Sequence, residues 1–96
     1  MKSAEEYKEL TGNKSKFYTL MYEKSHPVIM NNIETVIMTA VQNNQYFASY
    51  EMSMLSGYDI KMILKVLQYY GFGVNWDVIS NTDESCQSGI LTIHWS

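Results

Sequence analysis

The sequence predicts an α+β fold: a single small domain, with helices packed on one face of a three-stranded mixed sheet and a C-terminal β-hairpin. Three observations lead there. The chain has 96 residues, 46% of them hydrophobic, which suits one domain with a packed core. The apolar period is helical as far as Val41, drops to two in "YFASYEMSM", turns helical again in "YDIKMILKVLQYY" and returns to two from Phe72. The strand–helix–strand step implies a parallel pair with a right-handed crossover, and the last two alternating runs imply an antiparallel hairpin. Residues 1–24 read as an N-terminal helical extension and 25–96 as an α-β-α-β-β core.

The first helix opens at Ser3, with Glu6 three positions on as a capping box. Ala4, Tyr7 and Leu10 share one side, and Gly12 and Asn13 stop it. "KSKFYTLMYEK" fits a second helix through Phe17, Leu20 and Met21, although Tyr18 and Tyr22 occupy the other side. A longer helix starts at "SHPVIM", where Ser25 or His26 can cap and Pro27 takes the first turn. Ile29, Met30, Ile33, Val36, Ile37, Ala40 and Val41 fall in an arc about 140° wide, an ordinary one-faced helix.

In the strand that follows, Tyr46, Ala48, Tyr50, Met52 and Met54 should face the core. Ser56 and Asp59 then form another capping box. The helix after it carries Ile60, Ile63, Leu64, Leu67 and Tyr70, widened by Met62, Val66 and Tyr69 to an apolar arc of about 220°. An arc that wide wants burial on two sides. The expectation is a homo-oligomer in which Met62, Val66 and Tyr69 meet a second copy or a partner.

"LQYYGFGVNW" has glycines and aromatics suggestive of a phosphate loop. A phosphate loop needs its glycines after a strand and before a helix, since the helix N-terminus supplies the N–H donors. Here the order is reversed. Gly71 closes the helix and Phe72 starts a strand, with Phe72, Val74, Trp76 and Val78 on one face. Residues 80–89 read as a polar, acidic loop. In "ILTIHW", Leu91, Ile93 and Trp95 oppose Ile90, Thr92 and His94.

Composition narrows the chemistry. The net charge is −3, and all seven basic residues are lysine. Residues 66–96 contain no lysine or arginine, which counts against duplex nucleic acid. A winged-helix reading, with 57–70 as reading helix and 80–89 as wing, is weakened by that charge and by Asp83 and Glu84. Cys86 is the single cysteine and suits a reducing cytoplasm. The polar N-terminus "MKSAEEYKEL" does not read as a signal peptide, and no run approaches the roughly 20 apolar residues of a membrane span. No metal or cofactor motif is present. His26, His94 and Cys86 lack ligand spacing. A His94–Asp77 pair across the hairpin is the one constellation that could move a proton, and its plain reading is a surface cross-strand pair. No enzyme is expected.

The aromatics and lysines remain. Core packing accounts for Phe72, Trp76 and Trp95, while Tyr58, Tyr69 and Tyr70 lie near Lys61 and Lys65. A small nucleotide would bind at the start of the helix after Ser56, among Tyr50, Gly57, Tyr58, Lys61 and Lys65. The helix N-terminus and lysines would take phosphate, and a tyrosine would stack a base.

The runs "AVQNNQYFASYEM", "ILKVLQYYGFGVNW" and "GILTIHWS" resemble a pattern in small accessory proteins of large tailed bacteriophages. The resemblance spans about residues 26–96 and carries over no functional residue. It implies a binding protein of the host cytoplasm, of the counter-defence kind, that neutralises a host immune protein or sequesters its nucleotide messenger. The alternatives are a small phage assembly protein and the winged-helix regulator.

Overall fold

The structure is a computed structural model that describes residues 3–81 and 86–95. The elements run α1 (Ala4–Gly12), α2 (Lys14–Ser25), α3 (Pro27–Gln42), β1 (Phe47–Ser56), α4 (Gly57–Tyr69), β2 (Gly73–Asn81) and β3 (Cys86–His94). Asp83 and Glu84, and with them the middle of the expected acidic loop, lie outside the described residues, as does the side chain of Leu10.

Local chemistry sets the helix starts. Ser3 Oγ accepts from Glu6 N at 3.3 Å, Asn13 Oδ1 from Lys16 N at 3.1 Å, and Ser56 Oγ from Asp59 N at 3.1 Å. Asn13 thus opens α2 as well as following α1. At α3 the expected side-chain cap is absent. Ser25 Oγ turns back to the Met21 and Tyr22 carbonyls at 2.9 and 3.1 Å, because Ser25 still belongs to α2. The helix end is as expected. Gly71 has φ +92°, Gly71 N donates to Gln68 O and Phe72 N to Leu67 O, the two bonds of a glycine-closed C-terminus.

The three strands form one sheet in the order β1-β3-β2, with both ladders antiparallel. The expected mixed sheet is corrected here. β1 and β2 do run in the same direction, but they do not pair. β3 lies between them, with Leu91 and Ile93 fully buried. Leu91 sits between Tyr50 and Trp76, and Ile93 between Ala48 and Val74.

Alternation along β1 holds only as far as Met52. A register shift between Met52 and Leu55 puts Met54 at φ +59° and leaves it exposed, while Leu55 packs on the core instead. Tyr46 is also exposed, since it precedes the strand.

The helices cover one sheet face. Ile63, Leu67, Leu91 and Ile93 form the centre of the core, with Ile33 of α3 and Met52 of β1. The broad apolar arc of α4 has its second side covered within the chain. Asp59, Met62, Val66, Tyr69 and Tyr70 lie along one stripe, and α2 packs on it. Tyr22 donates to Asp59 Oδ1 at 2.9 Å, Tyr70 donates to Glu23 Oε1 at 2.7 Å, and the Lys16 ammonium sits 5.6 Å over the Tyr69 ring. Met62 and Val66 are therefore core residues, 6% and 2% exposed, and their burial calls for no second copy. That overturns the interface expected there; only Tyr69 of the three keeps exposed surface. Among the described residues, no helix is long and apolar enough to cross a membrane.

Candidate ligand-binding groove

The outer side of α4, away from α2, borders an open groove of about 360 Å³. Gly57, Ile60, Lys61, Leu64, Lys65 and Gln68 supply one wall, and Gln87 of β3 the other. Helical spacing makes this wall: positions 57, 61, 64, 65 and 68 fall on one stripe, three and four residues apart.

Three of the five expected ligand residues meet here: Gly57, Lys61 and Lys65. Two do not. Tyr58 points to the α2 side, its ring edge-on to Tyr22 with centroids 6.2 Å apart. One residue of helix is a 100° rotation, so Tyr58 and Gly57 cannot serve the same face. Tyr50 lies on β1 opposite Leu91 and packs against the core. Neither ring is placed to stack a base over the groove.

The electrostatics favour an anion. Among the described residues the one ion pair joins Lys16 to Glu9, so neither Lys61 nor Lys65 has a carboxylate partner. Asp59, the nearest acid in sequence, is occupied elsewhere: its carboxylate accepts from Ser56 Oγ and from the Tyr22 hydroxyl, both at 2.9 Å. Gln87 Oε1 accepts from Trp76 Nε1 at 3.2 Å, which leaves its amide N–H groups to donate. Gly57 places no side chain at the first turn of α4, and the space beside its Cα is open. The lining thus combines two ammonium groups and amide donors with the apolar surface of Ile60 and Leu64. Among the described residues it contains no carboxylate, imidazole or thiol.

The other expected constellation comes apart. His94 pairs with Phe47 and Gly73, whereas Asp77 pairs with Ile90, four residues along β3 from His94. That is roughly 13 Å along the strand, beyond any hydrogen bond. Asp77 Oδ2 instead accepts from Asn75 Nδ2 at 3.2 Å. Among the described residues, no group of three His, Cys, Asp or Glu side chains could hold a metal ion.

Sequence reading gave Ile60, Leu64, Gln68 and Gln87 no ligand role, and it put Gln87 inside a segment read as loop. Carrying the alternation of Ile93, Leu91 and Gly89 one step further back would have placed it on the helix side of the sheet. No family model, no curated protein and no solved structure matches the chain.

Proposed function

We propose that the protein is a phage-type accessory protein of the counter-defence kind, working in the host cytoplasm by binding rather than by turnover. In this reading it neutralises a host immune factor, and the groove on α4 sequesters that factor's nucleotide messenger. The phage assignment rests on the resemblance of residues 26–96. The ligand class rests on one observation: Lys61 and Lys65, both without a carboxylate partner among the described residues, stand one turn apart over an apolar floor, with the Gln87 amide opposite. Such a lining suits a small anion with a planar or apolar body.

Calorimetry with a panel of linear and cyclic nucleotides tests the reading. Binding should weaken by about tenfold in Lys61→Ala and again in Lys65→Ala, since each removes one charge-assisted contact. Tyr58→Ala and Tyr50→Phe should leave affinity unchanged, because neither ring reaches the groove. Absence of heat with every nucleotide would remove the messenger branch and leave a protein target.

A further inference from the structure

Among the described residues, nothing covers the face of the sheet opposite the helices. Alternation and register arrange it in three rows across the strands: Phe47–His94–Gly73, Ser49–Thr92–Asn75 and Glu51–Ile90–Asp77. The last row places an exposed apolar residue, Ile90, between two carboxylates on the neighbouring strands. Among the described residues, Glu51 has no ion pair and Asp77 holds only the neutral Asn75 amide. The lysines are elsewhere. All seven occur at or before residue 65, outside the three strands, so the sheet contributes acids and no ammonium group. The helices mix six lysines with six carboxylates, whereas the three strands carry Glu51 and Asp77 and no lysine or arginine.

We propose that this face docks a basic amphipathic helix of a partner protein. The geometry fixes the motif. Glu51 and Asp77 are two strand spacings apart, about 10 Å. Two helical residues at i and i+7 are about 10.5 Å apart along the axis. A helix crossing the strands with arginine or lysine at i and i+7, and an apolar residue at i+3 or i+4, meets Glu51, Ile90 and Asp77 together. Ser49, Thr92 and Asn75 are small enough beside that row to let the helix lie flat. Charge complementarity selects the partner here, since an acidic or neutral helix would leave both carboxylates unpaired. The proposal concerns the sheet alone and stands or falls apart from the groove.

The test uses the full chain, isotope-labelled, and a synthetic helical peptide with arginines at i and i+7 and leucine at i+3. Amide NMR shifts should centre on Glu51, Ile90, Thr92 and Asp77. Glu51→Lys and Asp77→Lys should each weaken binding about tenfold. Should either reversal disturb folding by circular dichroism, Glu51→Gln and Asp77→Asn carry the same test with a smaller loss. A peptide with its arginines at i and i+3 should bind more weakly than the first. Shifts centred on the helices, affinity indifferent to both acidic positions, or equal binding of the two peptides would overturn the proposal. So would a dimer of the unmutated chain that Glu51→Lys converts to monomer, which would give the face to a second copy.

Discussion

The imidazole of His94 lies over the backbone of Gly73 on the neighbouring strand, so close that a Cβ added to Gly73 would stand 1.9 Å from His94 Cε1. The glycine is there for the ring. A strand interior ordinarily disfavours glycine, and the ring covers what the missing side chain would leave bare. Gly73→Val should therefore destabilise by about 1 kcal/mol, as the valine and the imidazole compete for one space. In a His94→Ala background the same change should be neutral or stabilising. Urea melts of the four proteins give the coupling, and additivity would contradict the arrangement.

Gly89 faces a harder wall. A Cβ there would lie 2.1 Å from the Asp77 carbonyl oxygen, which is backbone in the adjacent strand and cannot rotate away. Gly89→Ala should cost about 3 kcal/mol, and no side-chain truncation nearby should rescue it. Thermal unfolding of the variant decides this.

Met62→Ala should lower stability by about 3 kcal/mol through a cavity between α4 and α2. Met62→Glu should unfold the single chain, since it buries a charge with no partner. A folded monomeric Met62→Glu protein in light scattering and circular dichroism would contradict the packing of α2 on α4.

Two tyrosines make the α2–α4 contact sensitive to alkali. Burial first, and then the Asp59 carboxylate, push the Tyr22 hydroxyl well above its ordinary value. Burial and Glu23 push Tyr70 up to about 12. Both groups are raised in the folded state. Their contribution is therefore complete below the ordinary value of 10.0 and lost as pH climbs above it through the folded values. Stability should hold up to pH about 10 and then fall, and the fall should be shallower in Tyr22→Phe and Tyr70→Phe. At neutral pH Tyr22→Phe should cost about 2 kcal/mol, a hydrogen bond to a charged acceptor. Tyrosinate absorbance against pH reads the titration directly.

Much of this architecture can be read from the sequence because it is written in local chemistry. The Ser56–Asp59 capping box, the Gly71 stop and the switches of period at Tyr46 and Phe72 each act within a few residues. What could not be read is long-range. Nothing local shows that β3 would separate β1 from β2, since that depends on how three strands share one hydrophobic face. The bulge at Met54 depends on pairing with β3, so the alternating pattern of "YFASYEMSM" overruns it. The groove was half legible. Lys61 and Lys65 follow from helical spacing, but Tyr58 looked available only because the partner of its face, Tyr22, is 36 positions earlier. The wide arc of α4 correctly signalled two-sided burial, and the second side turned out to be α2.

The place of β3 in the middle of the sheet also sets a schedule for synthesis on the ribosome. β1 and β2 are both made before their shared partner exists, and Phe47 waits until His94 has been added. A released product truncated before residue 86 holds two lone strands and not one ladder. Both would present unpaired N–H and C=O groups to whatever lies near, a state prone to association. The sheet can thus close only once His94 has been made, and any product cut short of β3 is left with two strands that have no ladder to join.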